Sequence, residues 1–228
     1  LFGLTATPKR KYNDEKLIYA YLGDIIHEVP KDYRSNTPDS KGKKKEVALG
    51  TTVEIKVRET DLALPFQPKL RDFQTIAKLL TFDTNRNKQI AEDVAGEARA
   101  GNKCLILTER KEHVEILHYF LKRDFEVVAI TGDMTPKKRK QQEKLVHDGN
   151  FDILVATGQL LGEGSNIAGL DRLFLVFPFS FEGKLIQYIG RIQRGENGIK
   201  KVYDYRDLHI ELLEKLFVQR RRVYNKMP

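Results

Sequence analysis

Residues Gln187-Tyr188-Ile189-Gly190-Arg191-Ile192-Gln193-Arg194 carry the densest chemistry in the sequence. On a helix, Gln187, Arg191 and Arg194 stand at i, i+4 and i+7, so an amide and two guanidiniums project from one face. Two permanent cations facing one way suit the negative charge that develops on a transferring γ-phosphoryl group. The same spacing also describes an ordinary solvated basic face. Gly190 falls inside this expected helix, where glycine costs about 1 kcal/mol relative to alanine; either close approach to its backbone requires it, or the helix tolerates it.

A second cluster follows Ala156-Thr157-Gly158, where Gly162-Glu163-Gly164-Ser165-Asn166 places two glycines close together. Such glycines permit positive φ and let the backbone approach a ligand, although a plain loop after a strand reads the same way. Other components are missing from the 228 residues: there is no G-x-x-x-x-G-K-[ST] phosphate loop and no D-E-x-[HD] acidic box. His27, His113, His118, His147 and His209 are scattered, each reading as a surface or helix histidine, and no Cys/His cluster has zinc spacing, so no metal site is expected.

The elements that must position these residues follow a strict alternation. Strands are expected over 103–107, 126–130, 152–156, 173–177 and 201–205, and helices over 111–122, 136–147, 184–194 and 207–224. Ahead of them, 71–80 and 85–100 read as helices; the second has Ile90, Ala91, Val94, Ala95 and Ala98 at helical spacing and stops at Gly101-Asn102. Apolar strands each followed by an amphipathic helix predict an α/β fold of three layers, with a mostly parallel sheet covered on both faces. Right-handed crossovers then put every strand's C-terminal end, and the loop leaving it, on one edge. Residues 31–70 differ: Ser35-Asn36-Thr37-Pro38-Asp39-Ser40, the run Lys43-Lys44-Lys45 and a β-branched/charged alternation over 51–59 read as a linker or insertion with some β structure. The lysine run is either a solvated loop or a phosphate-contacting patch. Residues 1–30 read as a strand end, a turn at Ala6-Thr7-Pro8, a helix over 14–22 and a strand over 24–29.

Composition narrows the class. Lys plus Arg number 40 against 32 Asp plus Glu, a formal charge of +8 that suits a polyanionic partner such as nucleic acid. No apolar run approaches the roughly 18 residues that span a bilayer, so no membrane partner is expected. The single cysteine, Cys104, precludes an internal disulfide and points to a reducing, cytoplasmic compartment, with a buried core thiol as its role. The opening Leu1-Phe2-Gly3-Leu4-Thr5 has neither an initiator Met nor signal-peptide character, and the chain is expected to start inside a longer protein.

Residues 187–194 match the Q-x-x-G-R-x-x-R motif VI of superfamily 2 DEAD/DEAH-like helicases. Leu4-Thr5-Ala6-Thr7-Pro8 resembles their motif III, residues 156–166 resemble motif V, and residues 103–110 occupy the place of motif IV. The resemblance implies a second, RecA-like motor domain over 85–228, a linker or insertion over 31–84, and the end of a first motor domain over 1–30. It implies that Arg194 is the arginine finger, that Arg191 is its partner on the γ-phosphate and that Gln187 orients or senses the same site. ATP and Mg²⁺ would be held mainly by an upstream motor domain in cis, leaving this chain alone without hydrolytic activity. Gly162, Gly164 and Asn166 would adjoin the nucleotide, Asn166 standing where the family usually has an acidic residue near the ribose. Thr5, Ala6 and Thr7 would couple nucleotide state to motion.

The resemblance also assigns sequence-independent nucleic-acid contacts to Thr108, Arg110, Thr131, Gly132 and Thr157; each threonine reads equally as a strand-end cap. Lys137-Lys138-Arg139-Lys140 either adds charge to that track or solvates its helix, and Arg220-Arg221-Arg222 reads as a solvated helix face. The combination of motifs looks closest to the helicase subunits of restriction-type systems and related DNA-repair helicases, which makes DNA the expected track and restriction, modification or repair subunits the expected partners. Two other classes compete: a nucleic-acid-binding or annealing module with a degenerate motor fold, and a Rossmann enzyme such as a methyltransferase, which leaves residues 187–194 unexplained.

Overall fold

The computed structural model of the chain describes residues 52–66, 68–69, 72–158, 167, 169–179, 182–192 and 198–226. The elements expected over 1–30, the lysine run at 43–45, the turn holding Gly162, Gly164 and Asn166, and Arg194 lie outside the described residues. Six strands form one sheet: β1 (Thr52–Glu59), β2 (Lys103–Thr108), β3 (Val127–Ile130), β4 (Ile153–Thr157), β5 (Leu170–Leu175) and β6 (Ile199–Arg206). Every pairing is parallel, in the order β1-β6-β5-β2-β4-β3. The helices are α1 (Phe73–Phe82), α2 (Thr84–Arg99), α3 (Lys111–Leu121), α4 (Pro136–His147), α5 (Glu182–Ile192) and α6 (Glu211–Tyr224). This is the expected three-layer α/β architecture.

Strand alternation divides the core into two layers. Cys104 and Ile106 of β2 meet Ile90 and Val94 of α2 and Val114 and Leu117 of α3 on one face. Leu105 and Leu107 meet Leu185, Ile189 and Ile192 of α5 and Val223 of α6 on the other. Cys104 is the buried core thiol that was expected, and burial pushes its pKa up to about 12. A third cluster, Leu62, Ile76, Leu80, Phe177, Ile210 and Leu213, packs α1 against the segment after β1 and the start of α6. The helix stop foreseen at Gly101 forms with a left-handed φ of 81°, its amide bonding the Ala98 carbonyl at 2.9 Å. Among the described residues, no helix is long and apolar enough to cross a membrane.

Of the next three elements, β5 and α6 depart from the sequence reading for electrostatic reasons, while the strand-like stretch over 51–59 forms as β1. β5 starts at Leu170, ahead of the expected 173, because Asp171 and Arg172 are paired within the sheet's lower edge: Lys200 meets Asp171 at 2.7 Å and Arg172 meets Glu97 at 2.6 Å. β1, from the stretch read as a linker with some β structure, runs in register with β6 along its 8 residues and buries part of Val53 and Ile55 against the core. α6 begins at Glu211 and not at Asp207, because the Asp207 carboxylate is committed elsewhere, accepting from Arg86 Nε at 2.7 Å and from the Thr60 hydroxyl at 2.7 Å. That buried cluster ties the exits of β1 and β6 to the first turn of α2.

Two further buried polar networks overturn sequence expectations. Arg220 is not part of a solvated face: it is buried and forms a fork with Asp204 of β6, Nε to Oδ2 and Nη2 to Oδ1 both at 2.8 Å, while Nη1 donates to the Phe179 carbonyl at 2.7 Å. Tyr224 donates its hydroxyl to the same Asp204 at 2.7 Å. The amphipathic pattern hid this because the partner carboxylate lies on a strand. His113 does sit on a helix, α3, as one of its two readings had it, yet it is fully enclosed against α2 and not at the surface. Its Nε2 lies 2.9 Å from Asn87 Oδ1 and its Nδ1 2.9 Å from the Thr108 hydroxyl. Asn87 Nδ2 donates to the Thr81 carbonyl at 2.8 Å, which leaves Asn87 Oδ1 to accept from Nε2–H and makes Nδ1 the acceptor of the Thr108 proton. Burial, reinforced by Arg86, pushes the His113 pKa down to about 3.

Both networks are open to measurement. Arg220→Met leaves the Asp204 carboxylate buried without its cation, and urea unfolding should show a loss of about 3 to 5 kcal/mol; a loss under about 1 kcal/mol would contradict the pairing. His113 stays neutral in the fold while its unfolded counterpart, with an ordinary pKa of 6.5, takes up a proton, so stability falls as pH drops below 6.5 toward about 3. The slope it contributes approaches 1.4 kcal/mol per pH unit, about one proton's worth. Urea midpoints between about pH 7 and about pH 5 should therefore fall less in His113→Gln than in the parent; equal slopes would mean that His113 is not held neutral.

Candidate functional site

The strands' C-terminal ends form one edge. β2 and β5 are neighbours, yet the helix after β2, α3, covers one face and the helix after β5, α5, covers the other. Connections that diverge in this way open a crevice at the strand ends, where doubly wound sheets take ligands. Register sets its floor: Thr108 pairs with Thr157, and the Gly158 amide continues the ladder to the Thr108 carbonyl at 3.0 Å.

The threonines expected along the edge are placed unequally. Thr108 is buried with its proton directed to His113, so its hydroxyl orients the loop from within and does not stand out from the edge. The Arg110 amide, at 3.4 Å, returns a hydrogen bond to that oxygen. Thr131 is also buried and donates to Asp133 Oδ1 at 2.7 Å; that bond and the exposed Lys111 at 3.1 Å hold the Asp133 carboxyl below its ordinary pKa. Thr157 is half-buried and Gly132 is exposed. Arg110 donates to the Gln74 side chain of α1. Arg110, Gly132 and Thr157 are thus the members of the expected track nearest to solvent. Lys137, Lys138, Arg139 and Lys140 open α4 from this edge; Pro136 sits at the helix start, Thr135 caps it, and no α4 residue is buried.

The helix that bears Gln187 and Arg191 forms as expected up to Ile192. Gln187 is exposed and Arg191 half-buried on α5, one turn apart. A Cβ built at Gly190 meets nothing within 4 Å, so no contact inside this chain requires a glycine there. α5 is pinned instead through Glu109, just beyond β2. Lys184 Nζ lies 2.7 Å from Glu109 Oε1, and the Tyr188 hydroxyl donates to the same oxygen at 3.2 Å. Lys184, Gln187, Tyr188 and Arg191 share one side of the helix. Burial raises the Tyr188 pKa well above the ordinary phenol range, and the nearby Glu109 charge raises it further. The ring rests over Gly158: a Cβ there would lie 1.6 Å from the Tyr188 hydroxyl oxygen. Any side chain at 158 would force Tyr188 and Glu109 to shift.

Glu109, Gly158 and Tyr188 were not singled out in this role by the sequence. Glu109 and Tyr188 are separated by 79 positions and meet only because β2, β4 and α5 converge. The available signal was a carboxylate at a strand exit together with a lysine and a tyrosine four residues apart on one helix. Gly162, Gly164, Asn166, Arg194, Thr5, Ala6 and Thr7 lie outside the described residues.

Comparison with known proteins assigns the main body. Residues 85–196 match the model of the helicase conserved C-terminal domain. The chain is 32% identical over 121 residues to transcript termination protein A18 of cowpox virus, covering 51% of this chain and 24% of that protein. It is 30% identical over 105 residues to DEAD-box ATP-dependent RNA helicase 9 of Oryza sativa subsp. japonica, covering 46% and 16%. The chain spans between 16% and 32% of the length of such curated relatives. T4 UvsW has the same fold at a TM-score of 0.59 and 19% identity, over 77% of this chain and 39% of that one. The RNA helicase Prp28 from Chaetomium thermophilum, solved with ADP, follows at 0.52 and 15%, over 78% and 37%. Residues 85–196, which hold α5 and the exits of β2, β3 and β4, are thus similar to the helicase conserved C-terminal domain.

Proposed function

We propose that this chain is the second motor domain of an ATP-dependent helicase or translocase that moves along DNA by its phosphates. The observation that carries the reading is the side of α5 that holds Gln187 and Arg191, fixed by Lys184 and Tyr188 to the same strand-exit edge that bears Arg110, Gly132 and Thr157. An ATP phosphate tail fits this side: an amide and a guanidinium stand one turn apart, and beside them Gly190 leaves room for a close approach. ATP would supply the phosphoryl group whose transfer drives the cycle. With no phosphate loop and no acidic box in the sequence, triphosphate and Mg²⁺ would be held by an upstream motor domain in cis. Arg191, together with Arg194 by the motif, stabilises charge growing on the γ-phosphoryl oxygens, and Gln187 orients the reacting groups. Gly162, Gly164 and Asn166 belong beside the nucleotide, and Thr5, Ala6 and Thr7 couple its state to domain motion.

Along the edge, Arg110, Gly132 and Thr157 contact phosphates, with α4 adding cationic charge; Thr108 and Thr131 shape the loops from inside. Contacts of this kind ignore base sequence and weaken with salt. The net charge of +8 fits a nucleic-acid track of either kind; DNA, with restriction or repair subunits as partners, rests on the motif combination.

In a protein in which this chain follows its phosphate-loop domain, Arg194→Ala or Arg191→Ala should lower nucleic-acid-stimulated ATP hydrolysis on the order of a thousandfold. A reduction under about threefold would remove the finger assignment and leave a binding or annealing module. The 228-residue chain alone should not hydrolyse ATP, and should bind single-stranded DNA more tightly than RNA of the same sequence, in both cases more weakly as salt rises. Binding unchanged by salt contradicts the phosphate track, and a preference for RNA contradicts the DNA assignment.

A further inference from the structure

Tyr188 lies where three segments of the proposed machinery meet. Its hydroxyl bonds to Glu109, the residue before Arg110. Its ring end lies on the backbone of Gly158, the residue after Thr157. In its own helix it follows Gln187 and precedes Arg191 by less than a turn. Phe179, from the segment after β5, meets the ring edge-on, with centroids 5.7 Å apart at 80°. The ring therefore has little freedom to shift unless the Gly158 backbone or the Glu109 loop shifts with it. Arg191 is near enough to act on the phenol electrostatically, opposing the effect of burial.

We propose that Tyr188 is a positioning residue that couples occupancy of the phosphate track to the placement of Gln187 and Arg191, through its hydrogen bond to Glu109 and its seat on Gly158. This rests on the reading of the site as half of a motor. Phosphates engaging Arg110 or Thr157 act on loops whose adjacent residues, Glu109 and Gly158, hold Tyr188. Movement there passes to α5 at the turn that bears both phosphate-directed side chains. Lys184, bonded to the same carboxylate oxygen at 2.7 Å, ties the first turn of α5 to Glu109 as well, so the start of the helix follows that loop together with Tyr188.

The test uses the protein carrying both motor domains. Tyr188→Phe keeps the ring and removes only the hydroxyl. It should lower the kcat of nucleic-acid-stimulated hydrolysis about tenfold, the worth of one hydrogen bond to a charged group, with KM for ATP within about twofold of the parent. The nucleic-acid concentration giving half-maximal stimulation should rise. Glu109→Ala, which also removes the ion pair with Lys184, should lose at least as much, Glu109→Gln, which keeps an acceptor, should recover most of the rate, and the double variant Tyr188→Phe with Glu109→Ala should lose no more than Glu109→Ala alone. Gly158→Ala, whose Cβ displaces the ring, should show the same defect. A Tyr188→Phe rate within about twofold of the parent, or additive losses in the double variant, overturns the coupling. Arg191→Ala separates the two possible failures. Hydrolysis intact in Arg191→Ala removes the motor reading and the coupling with it; hydrolysis lost there and unchanged in Tyr188→Phe removes the coupling alone.

Discussion

Parallel pairing decides where everything else in this domain can stand. Leu107 of β2 lies in register with Ala156 of β4 on one side and Leu175 of β5 on the other, while Ile130 of β3 also aligns with Ala156. Four strands thus end at nearly the same height, and since all run one way, their exit loops share one edge. A ladder of backbone hydrogen bonds buried under helices on both faces tolerates no slippage, because a shift of one residue would exchange the Cys104/Ile106 face with the Leu105/Leu107 face. The site inherits that rigidity: residues far apart in sequence are neighbours because of where their strands stop.

Polar groups then fix the loops that leave this edge. Asp207 joins the exits of β1 and β6 to α2 through Thr60 and Arg86; Thr108 and His113 tie the exit of β2 to Asn87; Asp204 and Arg220 hold the segment after β5 through the Phe179 carbonyl. Each network is buried and costly to leave half-made, so each specifies one arrangement. Glu109 differs from these. Its partners Lys184 and Tyr188 come from the helix that bears Gln187 and Arg191, so here the edge is fastened to that helix.

Much of this could be read from residue order. The alternation of apolar runs with amphipathic segments located each helix from α1 to α6 within a few residues, because core burial and helical period leave the same mark on the sequence. The helix expected over 136–147 forms with those bounds as α4, and Gly101 marked the end of α2. What stayed hidden shares one cause, a polar group whose partner lies far along the chain. Arg220 looked solvated because its period matched an exposed face, and His113 looked ordinary because a lone histidine carries no pattern. The early start of β5 was masked by Asp171 and Arg172, charged residues paired across the sheet's lower edge. On α5 the shared side of Gln187 and Arg191 was legible from helical spacing, whereas Tyr188 on Gly158 depends on a contact between α5 and the exit of β4 that no local pattern encodes.

Amide hydrogen exchange on this chain, with and without a short single-stranded DNA at low salt, tests most directly whether one edge gathers the function. Slowed exchange confined to the loops after β2, β3 and β4, around residues 109–110, 131–133 and 157–158, and to the first turn of α4, is the expected result. Protection centred on the opposite edge, near Glu97, Asp171 and Lys200, or spread evenly along exposed basic residues such as Arg221 and Arg222, would contradict it.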